Sequence, residues 1–257
     1  MKKLTQKCVK WVKDYFEQTN GSNAIVGISG GKDSSVVAAL CCKALGNDRV
    51  IGVLMPNGIQ KDIEDSKKVC EFLGIEQCVV DISTIYNSAI NGVFNSSDKI
   101  TEVSQQAKIN LAPRIRMAVL YSISQCMNGR VVNTSNFDES LMGYATLWGD
   151  SVGDLAPLAN MHVSQVIKMG LDLGLEDWMV SKPPSDGLTG KTDEESLGFS
   201  YADVETMYAK YTNYNGNFTE REQRAFERMN AMSWKRNLVC GIPSFDDDAI
   251  YEQWKQL

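Results

Sequence analysis

The feature that most constrains this chain is a glycine- and serine-rich turn between two apolar segments. Residues 24–28 have the composition of a buried strand, and residues 36–42 have that of a buried helix. The start of a helix offers unpaired backbone N–H groups, glycine lets a ligand approach the backbone, and serine adds hydroxyl donors. The turn therefore predicts a phosphate site. Its residues are Ser29, Gly30, Gly31, Lys32, Asp33, Ser34 and Ser35.

Two familiar phosphate loops do not fit this turn. A Walker loop needs a glycine at position 26, where this chain has valine. It also needs a serine or threonine after Lys32, where this chain has Asp33. The dinucleotide fingerprint G-x-G-x-x-G is broken at Gly27-Ile28-Ser29. Both classes of nucleotide-binding loop are therefore excluded.

Hydrophobic periodicity predicts the elements around the turn. The predicted strands are residues 24–28, 50–55, 77–82 and 130–134. The predicted helices in the same part of the chain are residues 4–16, 33–45, 62–73 and 84–94. Alternation of strands and helices is typical of the α/β class, and it predicts a doubly wound parallel sheet flanked by helices.

The second half of the chain is predicted to be mainly helical. Pro113 is expected to divide the helical region 101–127, and Ser135-Asn136 to cap a helix that runs to Leu147. Residues 181–197 are expected to form a long mobile loop over the site, with a plain surface insertion as the alternative. Further helices are predicted at 163–173, 201–211, 219–236 and 247–254, the last three forming a helical C-terminal extension.

Composition limits the class of protein. The 257 residues, 43% of them hydrophobic, suit one domain over residues 1–257. The net charge of -6 argues against a nucleic-acid surface. The seven cysteines form no C-x-x-C pair, which disfavours zinc and favours a reduced, cytoplasmic protein. No apolar run approaches membrane-spanning length, so neither a membrane nor a nucleic acid is expected as a partner.

The turn Ser-Gly-Gly-x-Asp-Ser resembles the pyrophosphate loop of the ATP pyrophosphatases. An incidental turn is the plain alternative, and six matched positions between a strand and a helix argue against it. Further segments narrow the resemblance to the NAD synthetases and extend it over most of the chain, whereas GMP and asparagine synthetases share only the first motif. These segments are Met55-Pro56-Asn57 with Gln60 and Asp62, Asn110–Met117, Thr134–Asp150, and Lys182–Glu195. The implied fold is Rossmann-like, of the adenine nucleotide alpha hydrolase type.

The resemblance implies a role for each matched position. The residues implied to bind ATP are Ser29, Gly30, Gly31, Lys32, Asp33, Ser34, Ser35, Met55, Thr134 and Ser185. Asp33 and Glu139 are implied to be catalytic and to bind Mg²⁺, which suits carboxylate oxygens. The residues implied to bind the dinucleotide are Arg114, Asp154 and Lys235. The plain alternatives are a helix cap for Asp33, a solvated charge for Glu139, and an ordinary ion pair for Arg114.

The implied reaction is the amidation of deamido-NAD to NAD with ATP and ammonia. The nicotinate carboxylate attacks the α-phosphate of ATP, and pyrophosphate leaves. Ammonia then attacks the resulting adenylate and releases AMP. Free ammonia is expected because the first strand begins near Ala24, which leaves no amidase domain before it. A nucleophilic cysteine also needs a base or an electropositive setting, which this sequence does not indicate. A separate glutaminase subunit stays open.

A homodimer is also implied, with the helices around Arg114 at the interface. That helical region supplies more apolar residues than one face needs against its own core, and a two-fold interface commonly covers such a surface. A helix buried wholly within one chain is the alternative. The apolar residues are Ile109, Leu111, Ile115, Met117, Ala118, Val119 and Leu120.

Three positions depart from the family pattern in the substrate half of the site. Leu147 and Val163 stand where many members have lysine, and Trp234 stands where they have histidine. Lys168 or Lys191 could supply a replacement charge. These departures leave open a related enzyme that amidates a different carboxylate.

Two other classes of protein are disfavoured. The acidic composition and the absence of cysteine pairs argue against a tRNA-modifying adenylase. Retention of both Asp33 and Glu139 argues against a non-catalytic nucleotide-binding protein. His162 is the only histidine and lies outside every motif, so we expect it to be structural, and most histidine-based triads are excluded.

Overall fold

Four parallel strands form the centre of the fold. In the computed structural model, which describes residues 2–59, 63–182, 192–214 and 216–235, they lie in the order β3-β2-β1-β4. The strands are β1 (Asn23–Gly27), β2 (Val50–Leu54), β3 (Glu76–Val79) and β4 (Gly129–Val132). The chain moves outward from β1 through β2 to β3 and returns to place β4 on the other side of β1. Ligands bind at such a reversal in open parallel sheets. The predicted doubly wound sheet is confirmed.

Helices cover both faces of this sheet and continue beyond it. Those in the described residues are α1 (Lys2–Gln18), α2 (Lys32–Leu45), α3 (Ile63–Leu73), α4 (Ser83–Phe94), α5 (Gln105–Cys126), α6 (Phe137–Met142), α7 (Val163–Asp172), α8 (Asp177–Ser181), α9 (Asp193–Leu197), α10 (Tyr201–Thr212) and α11 (Glu220–Ala231). Two 3₁₀ turns lie at Asn47–Arg49 and Ser233–Lys235. No helix among them has both the length and the apolar character needed to cross a bilayer.

Alternate residues of the strands pack into two apolar layers, because successive side chains point to opposite faces of a sheet. Ala24 and Val26 of β1 pack in the layer that includes α1, α2 and α7. Ile25 packs on the other face, in the layer that includes α5. A third cluster joins α6 to α10 and α11 and is separate from both layers. The C-terminal helices therefore build a second wall beside α6, as the predicted extension requires.

Several predicted boundaries are wrong. Pro113 does not divide the helical region, since α5 runs continuously from Gln105 to Cys126. Proline removes one backbone donor, and burial of neighbouring residues such as Ala112 and Ile115 offsets that loss. The helix that Asn136 caps ends at Met142, because Gly143 adopts a left-handed backbone with φ +59°.

The predicted loop 181–197 and the predicted final helix fall partly outside the described residues. Residues 193–197 form α9, so that part of the loop prediction is wrong. The Thr192 hydroxyl oxygen caps α9 by accepting a hydrogen bond from the Glu195 backbone N–H. In return, the Glu195 carboxylate accepts one from the Thr192 backbone N–H. This capping box is visible in the sequence as Thr-x-x-Glu and was the overlooked signal. The predicted helix 247–254 lies outside the described residues.

Candidate active site

A cleft of about 820 Å³ opens where the strand order reverses. The β1–α2 loop and the β4–α6 segment form its floor, and α5, the segment 143–152 and the end of α11 form its sides. Among the implied ligands, those that line it are Ser29, Lys32, Asp33, Ser34, Met55, Arg114, Thr134, Glu139 and Lys235. The fold therefore brings together segments that are distant in sequence.

The β1–α2 loop is held by its own serines. Gly30 has φ +74°, a left-handed conformation that favours glycine. A side chain there would also meet Asp65 and the backbone of Ser66 at about 3.1 Å. Ser34 Oγ and Ser35 Oγ donate to the Gly31 carbonyl at 3.1 and 2.8 Å. The turn is consequently fixed before any ligand binds.

Lys32, Asp33 and Asn136 connect this loop to α6. Lys32 Nζ lies 2.8 Å from Asp33 Oδ2, although the lysine side chain is only 3% exposed. Asn136 Nδ2 donates to Asp33 Oδ1 at 3.1 Å. The same asparagine caps α6, since its Oδ1 accepts from the Glu139 backbone N–H at 3.0 Å. One residue therefore orients both carboxylates that the sequence implied as metal ligands.

Ionisation of Glu139 is penalised in this part of the cleft. Burial and the nearby Asp33 charge hold the pKa of Glu139 well above its usual range, although Lys32 opposes the shift. Burial alone would lower the pKa of Lys32, but the charges of Asp33 and Glu139 raise it overall. Lys32 is thus a permanent cation beneath an acidic site, and a further cation would relieve the remaining repulsion.

Asp193 and Tyr201 are site residues that the sequence reasoning missed. Asp193 lines the cleft from α9. It accepts a hydrogen bond of 3.1 Å from the hydroxyl of Tyr201. The Tyr201 ring lies 5.9 Å from Lys32 Nζ. Burial and the surrounding carboxylates raise the pKa of Tyr201 well above its usual value. The phenol therefore stays protonated and donates to Asp193.

Basic side chains line the other side of the cleft. Arg114 is exposed there, and its Nε donates to the Leu147 carbonyl at 3.1 Å. Lys235 Nζ donates to the carbonyls of Gly143 and Ala145, both at 2.9 Å. Arg228, which the sequence reasoning also missed, lines the same side from α11. These cations face a space large enough for a nucleotide.

The other substrate-site predictions fare unevenly. Asp154 is not among the residues that line the cleft, and its carboxylate accepts from Tyr121 at 3.3 Å and from the Val131 backbone at 2.7 Å. Ser185 lies outside the described residues. Leu147 lines the cleft, whereas Lys168 does not and is exposed. Lys191, the second suggested replacement, also lies outside the described residues.

His162 lies outside the cleft lining and has structural contacts. Its Nδ1 lies 2.6 Å from Asp138 Oδ1, and Asp138 Oδ2 accepts from the Val163 backbone at 2.8 Å. Glu205 closes the cluster from α10 and accepts from the backbone and hydroxyl of Ser164. The cluster ties α6 to the start of α7 and to α10, which supports the expected structural role.

The fold and this site define a nucleotide-binding α/β enzyme with a serine–glycine phosphate loop at the strand reversal. A family model for NAD synthase matches residues 4–238. The chain therefore belongs to the NAD synthase family.

Individual relatives agree with this assignment. An NH(3)-dependent NAD(+) synthetase from Methanocaldococcus jannaschii is 37% identical over 214 residues, covering 82% of each chain. Among solved structures, an NMN synthetase from Francisella tularensis has a TM-score of 0.81 and 30% identity, covering 95% of this chain and 98% of its own. An NH3-dependent NAD synthetase from Campylobacter jejuni, in complex with a nitrate ion, has a TM-score of 0.76 and 25% identity over 95% and 97% of the chains.

Proposed function

We propose that this protein amidates deamido-NAD to NAD, using ATP and ammonia. The observation that carries the proposal is a single cleft in which the phosphate loop, including Asp33, and Glu139 of α6 line one side and basic side chains line the other. The first region suits ATP, and the second suits an anionic nucleotide substrate. Membership of the NAD synthase family and the names of its relatives support the same reaction.

The chemistry has two steps. An oxygen of the nicotinate carboxylate forms a bond to the α-phosphorus of ATP, and pyrophosphate leaves with the electron pair of the broken P–O bond. The ammonia lone pair then attacks the carbonyl carbon, AMP leaves, and one proton passes to solvent. The loop binds the phosphates, and the surrounding cations offset charge on the leaving group.

Asp33 and Glu139 fit Mg²⁺ as ligands because carboxylate oxygens are the donors that this hard cation prefers. Burial and the nearby Asp33 charge raise the pKa of Glu139, and a cation bound by the two carboxylates would favour the ionised form of Glu139. When bound, the ion would neutralise phosphate charge next to Lys32. Asn136 would position both ligands, and Lys32 would position Asp33.

The test is an incubation of the purified protein with ATP, Mg²⁺ and ammonium, with and without deamido-NAD. We expect NAD, AMP and pyrophosphate in equal amounts, all dependent on the dinucleotide. Absence of dinucleotide-dependent AMP would overturn the proposal. A parallel reaction contains nicotinate mononucleotide, because one structural relative is an NMN synthetase. If kcat/KM is higher for nicotinate mononucleotide than for deamido-NAD, the mononucleotide is the substrate, and the two chemical steps stay as proposed.

Free ammonia is the proposed nitrogen source. A glutaminase nucleophile is a thiolate, and burial raises the pKa of Cys42 to about 12 and that of Cys70 to about 11. Burial raises the pKa of Cys41 as well. Only neutral ammonia has a lone pair, so the rate at subsaturating total ammonium should rise from neutral to mildly alkaline pH. If glutamine from which contaminating ammonia has been removed supports the same rate as ammonium, this nitrogen-source assignment is wrong.

A homodimer is the proposed assembly, and α4 with the edge strand β3 supports it. Helix α4 has no buried residue, and its apolar side chains Ile85 and Phe94 are 50% and 48% exposed. Val79 of β3 is 56% exposed nearby in sequence. Of the α5 residues named in the sequence analysis, Ile115, Met117 and Leu120 are buried in the chain's own core, whereas Ala118 is exposed. The interface is therefore better argued from α4.

Light scattering at micromolar concentration tests this assembly. We expect the mass of a dimer, reduced to that of a monomer by Phe94→Glu, because a carboxylate is costly to bury at an interface. Phe72→Glu is the matched control, since Phe72 is 44% exposed on α3, in the opposite layer. A fully active wild-type monomer would exclude the dimer.

The proposed organisation is one domain over residues 1–257, located in the cytoplasm. Helix α7 joins the two parts of the fold, since Val163 packs against the cluster of α6, α10 and α11 while Val166 packs in a sheet layer, which supports one domain in the described residues. The six cysteines of those residues are free thiols, which supports a reducing compartment.

A further inference from the structure

Arg228 is held in an unusual setting for an arginine. It projects from α11 into the lining of the cleft and is half-buried. Its Nε donates to the Met142 carbonyl at 2.9 Å, at the C-terminal end of α6. That contact fixes the guanidinium while the two terminal nitrogens remain outside the hydrogen bond. Arg228 therefore presents a fixed, planar, doubly donating edge.

No acidic side chain within the described ranges forms an ion pair with Arg228. Burial lowers its pKa, and the hydroxyls of Tyr144 and Tyr201 oppose this shift. Buried arginines are almost always paired, because an isolated buried charge is expensive. A half-buried arginine in a cleft without a carboxylate partner therefore indicates an anion supplied from outside the chain.

Lys235 adds a second cation to the same part of the cleft. Burial and the charge of Arg228 lower its pKa, while Asp150 opposes the shift. Its ammonium is held by the carbonyls of Gly143 and Ala145 at 2.9 Å. Two cations that repel each other stay close only at some cost, and a bound anion removes it. The pair is therefore built for a negatively charged group.

We propose that Arg228 binds the carboxylate of the acid substrate and selects it against the carboxamide product. This inference rests on the proposed function. The phosphates of ATP are already provided for at the other end of α6, where the loop and Lys32 lie. The free guanidinium edge matches the two oxygens of a carboxylate. Since the reaction converts that anion into a neutral amide, the same contact favours release of the product.

The experiment compares the binding of deamido-NAD and NAD, which differ only at this group. We expect the wild-type protein to bind deamido-NAD more tightly. Arg228→Gln should weaken deamido-NAD binding at least about tenfold, with NAD binding and the KM for ATP little changed. Arg224→Gln is the matched control, because Arg224 lies exposed on the same helix and pairs with Glu220. It should bind both dinucleotides as the wild type does.

Each other outcome counts against the proposal. If Arg228→Gln weakens the binding of NAD and deamido-NAD equally, Arg228 contacts a phosphate that both share. If neither affinity changes, Arg228 does not contact the dinucleotide. If Arg228→Gln fails to fold, the wild-type affinities still test the proposal. Equal affinities for NAD and deamido-NAD would mean that no cation binds the carboxylate, and the proposal would be rejected. Turnover of deamido-NAD by the wild-type protein is measured first. If the wild-type protein does not turn over deamido-NAD, the proposed function is rejected. If it does, and Arg228→Gln binds deamido-NAD as the wild type does, only this inference is rejected.

Discussion

In the phosphate half of the cleft, the polar side chains of residues 29–35 contact one another and their neighbours in the protein, whereas the cations Arg114, Arg228 and Lys235 of the substrate half donate to backbone carbonyls. Asp33 illustrates the first case, since Lys32 and Asn136 each contact one of its oxygens. Arg228 illustrates the second, with one bond from Nε to a backbone carbonyl. The first arrangement positions groups for a charge that develops during reaction, and the second leaves donors available for a substrate.

The sharpest way to break this comparison is to remove charge from the phosphate half. Asp33→Asn and Glu139→Gln nearly keep the side-chain volume and one acceptor oxygen each, but they remove the negative charge of a proposed metal ligand. We expect turnover to fall by about a hundredfold or more, the usual effect of losing one group that stabilises transition-state charge. Steady-state kinetics over a range of Mg²⁺ concentrations measure this. The exposed Glu71 on α3 provides the control variant Glu71→Gln.

Stability should move in the opposite direction for Glu139→Gln. Its raised pKa means that ionisation is penalised in the folded protein, so a neutral amide removes that penalty at neutral pH. We therefore expect an unfolding temperature equal to or above that of the wild type without Mg²⁺, and no rise when MgATP is added. Near-normal rates in both variants would contradict the metal assignment. A large loss of stability would instead make Glu139 a structural residue.

A substitution with a smaller expected effect tests whether Asp154 belongs to the substrate half of the cleft. Its oxygens accept from Tyr121 and from the Val131 backbone, so Asp154→Asn would place an amide donor against one of these donors. We expect a loss of about 1–3 kcal/mol in the free energy of unfolding. The KM for deamido-NAD should stay within a few-fold. Urea denaturation and kinetics separate the two effects, and a large rise in KM with unchanged stability would show that Asp154 binds substrate.

The same contrast explains what the sequence could predict. The phosphate half is local, because the turn and its flanking strand and helix lie within 24–45, and Asn136 caps the helix that carries Glu139. The substrate half is assembled from α5, the segment after Gly143 and α11, which only tertiary packing brings together. Arg228 has no neighbouring motif of its own, so nothing local distinguishes it from Arg224. The break predicted at Pro113 is absent from α5 for a related reason, since packing outweighs the local preference of proline.

The smallest expected effect concerns His162, which supports α6 from the side away from the cleft. Burial alone would lower its pKa, but Asp138 and Glu205 raise it above the usual 6.5. A group with a raised folded pKa stabilises the protein fully below its unfolded pKa, and the effect disappears as pH rises through the folded value. His162→Asn should therefore lose about 1–2 kcal/mol near pH 6 and much less near pH 8.5.

Denaturation of wild-type and His162→Asn protein at these two pH values measures the difference. The asparagine keeps a polar side chain near Asp138, so the variant tests the charge more than the contact. The buried Asp138 still accepts from the Val163 backbone at 2.8 Å, which should keep α7 in place. The KM values for ATP and deamido-NAD should not change, because His162 does not line the cleft. A loss of stability that is equal at both pH values would show that His162 acts through packing, not through its charge.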